Sequence, residues 1–125
     1  MEEQKRYPYA FDFDGVIARY DGFRGKDDVE DPIPEVVEAM RVLKSRGHTI
    51  IVYSARGTDF LRDYFSKHNI PVDYINESPN HHGENPGKPI AHVYVDDRAV
   101  CYRGQSSEEL VAEIVGFRAF WETKK

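Results

Sequence analysis

Only one cysteine, Cys101, occurs in the 125 residues. That excludes an internal disulfide and any thiolate metal cluster, and leaves a structural thiol as its expected role. Long apolar runs are equally scarce. No stretch approaches the roughly 20 residues that a membrane-spanning helix needs. The opening "MEEQKR" has no signal-peptide apolar region, so the expectation is a cytoplasmic protein with no membrane contact. An excess of basic residues is missing too. With 22 acids against 17 bases the net charge is −5, and a field of that sign argues against nucleic acid as a partner. No internal repeat at periods of about 20 to 50 residues and no low-complexity tract is present. What is there is an ordinary core: 40% hydrophobic and 13% aromatic residues suit one compact domain over residues 1–125, with no length for a second.

Apolar runs and turn signals alternate along the chain. "PYAFDF" (8–13) reads as a buried strand with Pro8 at its first position, where a missing N–H is tolerated. Asp21-Gly22 and Gly25 signal turns, so residues 16–23 are expected to form a small flap over that strand's end. "IPEVVEAMRVLKSRG" reads as a helix with Pro34 in its first turn, a stripe of Val36, Val37, Met40 and Leu43, and Gly47 as its stop. "HTIIVYS" has an uncharged β-branched centre, as a strand covered on both faces does. Thr58 is expected to cap a helix carrying Phe60, Leu61, Tyr64 and Phe65 and ending near Asn69. "PVDYIN" (71–76) reads as a third strand, "SPNHHGENPGKP" (78–89) as a loop, and "IAHVYVDD" as a fourth strand. Ser106 with Glu109 forms a capping box for a last helix with the stripe Leu110, Ile114, Phe117 and Trp121. A short strand near 100–103 is expected before it. The aromatic side chains Tyr64, Phe65, Phe117 and Trp121 read as core.

Strands and helices in alternation imply an α/β fold, a parallel sheet flanked by helices in three Rossmann-like layers. Such sheets bind ligands at the carboxyl ends of their strands. The acids sit at those ends: Asp12 and Asp14 after strand one, Asp96 and Asp97 after strand four, with Ser54 after strand two and Lys88 entering from the loop. Four converging carboxylates raise one another's pKa values unless a cation lies among them. With only oxygen ligands at these ends, the expected cation is a hard one such as Mg²⁺, which also binds substrate phosphate. Asp12 is then placed to attack phosphorus, and Asp14 to protonate the leaving oxygen and later deprotonate water. Lys88 neutralises charge, while Ser54, the backbone around Ala55, and Arg56 hold phosphoryl oxygens. Arg98 is a further candidate for an anionic part of the substrate. His81 and His82 with Glu84 lie in a Gly/Pro-rich loop, a poor cage for a transition metal, and are read as loop residues.

These motifs resemble those of the haloacid dehalogenase superfamily, whose members are mostly Mg²⁺-dependent phosphatases with a Rossmann-like fold. "DFDGV" resembles the first motif, Ser54 after "IIVY" the second, Lys88 the third and "VYVDD" the fourth, in the family's order over residues 12–97. The resemblance implies that the metal is held by the Asp12 side chain, the backbone carbonyl of Asp14, and Asp96 or Asp97. Lys88 stands only eight residues before Asp96, where relatives usually have an intervening helix, so it must reach the site from a loop. The 42 residues from Asp12 to Ser54 and the 34 from Ser54 to Lys88 are filled by the expected elements, which leaves no room for a cap domain. The implied activity is hydrolysis of a phosphomonoester through phospho-Asp12. The substrate would be a phosphorylated metabolite or a larger phosphorylated molecule, and a homo-oligomer stays open. Two alternatives are a receiver-like phosphoaspartate signalling domain and a catalytically silent relative that binds phosphate or a protein. The receiver is disfavoured by residue order, since its phosphoacceptor would follow strand three, where this chain has "YINES".

Overall fold

The computed structural model describes residues 6–22, 25, 28–78 and 89–122. The elements are β1 (Pro8–Asp12), α1 (Pro34–Ser45), β2 (Thr49–Tyr53), α2 (Thr58–Lys67), β3 (Tyr74–Ile75), β4 (Val93–Val95) and α3 (Ser107–Val115), followed by a 3₁₀ turn at Phe120–Glu122. The four strands form one parallel sheet in the order β3-β2-β1-β4. Flanked by the three helices, it is an α/β, Rossmann-like fold.

One face of the sheet and two helices make the core. Phe11 of β1 and Ile50 and Val52 of β2 pack with Val37 and Met40 of α1 and with Leu61, Tyr64 and Phe65 of α2. The stripes follow the expected 3.6-residue period, and Met40 and Leu61 lose all exposure. Pro34 starts α1 at a position where no N–H is needed, and Gly47, at φ 86°, turns the chain into β2. Ala10 and Ile51, on the alternate positions, are buried on the opposite face. At the far end of β3 from the acids, Asp73 accepts from the Ile50 N–H at 2.8 Å and pairs with Lys44, which anchors the edge strand to β2 and α1.

Four local expectations are corrected. Thr58 is not the cap of α2 but its first residue. Gly57, in extended conformation, is the N-cap and offers no side chain, while Asp59 complements the positive end of the helix. The Ser106–Glu109 capping box forms as expected, but α3 ends at Val115 instead of continuing to Trp121. Gly116 is the C-cap, and a glycine there costs about 1 kcal/mol relative to alanine if the helix runs through it. As a result the 110–121 stripe does not form, and α3 has no buried residue: Val111, Ile114 and Val115 are 59%, 56% and 73% exposed. Residues 100–103 form no strand. Side chains satisfy their backbone instead, Gln105 accepting from the Arg103 N–H while Arg103 and Gln105 donate to the Cys101 carbonyl. Cys101 itself is exposed, so its thiol is not a core group.

The flap begins as a tight turn. The Phe13 carbonyl accepts from the N–H groups of Val16, Ile17 and Ala18, and Ile33 N–H donates back to Ile17. The 78–89 loop, with Lys88, His81, His82 and Glu84, lies outside the described residues apart from its ends, as does Phe23. At those ends the buried Ser78 hydroxyl accepts from the Ile90 N–H. Among the described residues no helix is long and apolar enough to cross a membrane. Leu61→Ala is expected to destabilise the fold by about 2–5 kcal/mol in urea denaturation, because the fully enclosed site between α2 and the sheet cannot collapse around the lost methyls.

Candidate active site

The strand order creates the site. The chain runs outward from β1 to β2 to β3, then returns to place β4 on the other side of β1. The strand order reverses between β1 and β4, and such a reversal marks the usual ligand position at the carboxyl ends of the strands in these sheets. Asp12 is the last residue of β1, and Asp96 and Asp97 directly follow β4. One carboxylate oxygen from each of the three lies within 4.8 Å of the others.

Each acid has distinct support. Asp12 Oδ1 accepts from the Phe13 N–H at 2.9 Å. Asp96 Oδ2 accepts from the Tyr53 hydroxyl at 2.8 Å and Oδ1 from the Arg98 N–H at 2.8 Å. Asp97 Oδ2 accepts from Trp121 Nε1 at 2.6 Å, while its Oδ1 is buried and has no hydrogen-bond partner among the described residues. Burial pushes the Asp12 pKa up to about 8, aided by contact with the Asp97 carboxyl and by the charges of Asp96 and Asp97. The Tyr53 phenol is also pushed up by burial and by Asp96, so it stays a donor at neutral pH.

A hard divalent cation fits this arrangement. Three carboxylates that repel one another and an orphaned, buried Asp97 oxygen are the donor set that a small oxygen-seeking ion satisfies. Asp12, Asp96 and Asp97 are the residues that could hold such an ion.

Gly15, in "DFDG", is explained by close packing here. Its φ is +85°, and a Cβ on it would lie 2.2 Å from Asp97 Oδ2 and 3.1 Å from Trp121 Nε1. Only glycine lets the turn after β1 pass under Asp97.

Asp14 is not one of the three converging acids and pairs with Arg56. The guanidinium donates from Nε to Oδ2 at 2.8 Å and from NH2 to Oδ1 at 3.0 Å, and NH2 also reaches the Asp28 carbonyl at 2.8 Å. Asp14 holds the Arg56 pKa above its ordinary value. The same guanidinium lies 5.1 Å from the Phe60 ring centroid and 5.7 Å from that of Phe13. Ser54 follows β2. Its N–H donates to the Asn76 side chain and its hydroxyl accepts from the Arg56 N–H. Asn76, at φ 57°, is in the left-handed region that asparagine tolerates.

A cleft of about 640 Å³ joins these groups, lined by Asp12, Asp14, Ser54, Arg56, Asp97 and Arg98 among others, and Ala55 lies on its wall. A larger hollow of about 750 Å³ runs beside β3 between α1 and α2, and among the described residues the carboxylates on its wall are Asp73 and Glu77. Of the three converging acids, Asp12 and Asp97 border the smaller one. Of the residues expected at the site, Asp12, Asp96 and Asp97 converge, Asp14, Ser54, Ala55 and Arg56 line the same cleft, and Lys88 lies outside the described residues. Sequence reasoning missed Tyr53, Asn76, Gly15 and Trp121. Tyr53 was within reach, since the parallel register sets it directly beside Asp12. Trp121 had no local signal.

No protein-family model and no curated protein matches the chain. Among solved structures it is similar to a conserved protein coded by a locus of Bacteroides thetaiotaomicron, with a TM-score of 0.61, 22% identity, and coverage of 89% of this chain and 90% of that one. This likeness shows the fold.

Gly15→Ala is expected to cost about 1–2 kcal/mol from its backbone conformation alone, and to displace Asp97 as well, both readable as a lowered urea midpoint. The raised Asp12 pKa carries a pH signature. Between its ordinary 3.8 and about 8, the folded protein keeps a proton that the unfolded chain has lost. The native state then binds more protons, so its stability falls as pH rises through that window. Melts in EDTA are expected to show this decline in the wild type and a flatter profile in Asp12→Asn; parallel profiles would refute the assignment.

Proposed function

We propose that the protein is a divalent-metal-dependent phosphomonoester hydrolase of the haloacid dehalogenase type, working through an aspartyl-phosphate on Asp12. One observation carries this reading: a strand-end carboxylate, Asp12, shares the switch-point crevice with Asp96 and with an Asp97 oxygen that is buried and unpartnered. This is a cation slot directly beside a nucleophile. A bound Mg²⁺ would screen the repulsion between Asp12 and an anionic phosphoryl group.

In the first step an Asp12 oxygen forms a bond to phosphorus while the bond from phosphorus to the ester oxygen breaks. Asp14 gives its proton to the leaving oxygen. In the second step Asp14 takes a proton from water, whose oxygen attacks phosphorus; inorganic phosphate leaves and the Asp12 carboxylate is restored. Both Asp14 oxygens accept from Arg56, and in this reading Arg56 turns N–H groups to the phosphoryl oxygens when substrate binds. The guanidinium fork suits either bidentate anion. Ser54 and Ala55 border the same cleft. Lys88 keeps the charge-neutralising role that the motif resemblance implies.

The strand order supports this reading over a receiver domain. Receivers follow the order 2-1-3-4-5, with β3 beside β1, whereas here β3 lies outside β2. Residue 76, after β3, is an asparagine whose amide is engaged by Ser54.

The test is release of phosphate from p-nitrophenyl phosphate with Mg²⁺. Turnover is expected to vanish with EDTA, to drop at least about 10³-fold in Asp12→Asn, and to slow about 10²–10⁴-fold in Asp14→Asn. Absence of turnover with every divalent ion tried, on this and on a panel of phosphorylated metabolites, would overturn the reading.

A further inference from the structure

We infer that Trp121, from the 3₁₀ turn after α3, is a positioning residue for the metal: its indole N–H pins one oxygen of Asp97 so that the other faces the cation slot. The inference rests on the metal-dependent reading above and goes beyond it, since no motif of the site includes the C-terminal segment.

The geometry is specific. An indole N–H can only donate, so its partner at 2.6 Å must be an acceptor, here the carboxylate oxygen Oδ2 of Asp97. With Oδ2 held, rotation of the carboxylate is restrained, and Oδ1 stays buried at the cluster of Asp12, Asp96 and Asp97. The ring itself is fixed on three sides. Tyr20 meets it edge-on with centroids 5.0 Å apart, the Arg98 guanidinium lies 4.9 Å from its centroid, and the Gly15 backbone passes close to Nε1. Trp121 therefore ties the turn after β1 to the turn after β4, the two segments that supply the acids.

A tryptophan serving only as core filler needs no such contact; phenylalanine would fill much of the same volume. What phenylalanine cannot do is hold Oδ2. Loss of the N–H leaves Oδ2 without its indole donor and frees the carboxylate to turn from the slot. Removing a hydrogen-bond partner that orients a metal ligand typically costs 10–100-fold in metal affinity, and that is the effect expected here.

Trp121 is the only tryptophan in the chain, so its fluorescence reports on this contact alone. Titration of the wild-type protein with Mg²⁺ is expected to change the indole emission with the midpoint that calorimetry gives for Mg²⁺ binding. Trp121→Phe is expected to keep its far-ultraviolet circular dichroism, to bind Mg²⁺ about 10–100-fold more weakly, and to recover kcat when Mg²⁺ is raised to saturation. Unchanged Mg²⁺ affinity in Trp121→Phe, or indole emission indifferent to Mg²⁺ that calorimetry shows to bind, would overturn the positioning role while leaving metal dependence intact. Failure of the wild type to bind Mg²⁺ at all would overturn both. If Trp121→Phe does not fold, the emission of the unaltered chain decides.

Discussion

Repulsion among Asp12, Asp96 and Asp97 is the constraint around which the molecule is organised. Three carboxylates in a partly buried crevice oppose folding, because each loses water and sits in the field of the others. The surrounding groups meet part of that cost. Tyr53, the Phe13 and Arg98 amides and the Trp121 indole all donate to these acids, and none of them bears a positive charge at the contact. Neutral donors hold the carboxylates in place without neutralising their charge. The cationic groups of the cleft are directed elsewhere, Arg56 to Asp14 and Arg98 over the Trp121 ring.

The fold gathers these acids by a simple topological device. A parallel sheet aims every strand's carboxyl end the same way, and the jump from β3 back across the sheet to β4 brings two acidic ends together beside the middle of the sheet. The α1 and α2 side of the sheet holds the large core and provides stiffness. The β4 side is more lightly covered: β4 is three residues long, and Val93 and Val95 remain 45% and 37% exposed. The turn after β4 thus gains little from core packing and is held mainly through Asp96 to Tyr53 and Asp97 to Trp121.

Strand ends with their acids were legible because their signals are local: an apolar run closed by Asp, a βαβ alternation, a proline at a helix start. Boundaries were less legible where one residue outweighs a pattern. Gly116 stops a helix that the apolar spacing of Leu110, Ile114, Phe117 and Trp121 would continue, and the Gly57 backbone displaces Thr58 as a cap. The Asp14–Arg56 pair spans 42 residues and the Asp97–Trp121 bond spans 24. Neither has a periodicity or a motif to announce it.

Taken alone, the order of residues determined the α/β class, the core stripes of α1 and α2, and which acids stand at strand ends, since each follows from side-chain chemistry repeated at a spacing the backbone itself sets. Only the tertiary structure decided which of those acids meet. Asp12, Asp96 and Asp97 converge and Asp14 turns to Arg56, because the strand order and the close pass of Gly15 beneath Asp97 settle distances that no local pattern encodes. The same packing turned Trp121 from an expected member of a helical stripe into a hydrogen-bond donor at the site, because direction and reach depend on where the chain bends after α3.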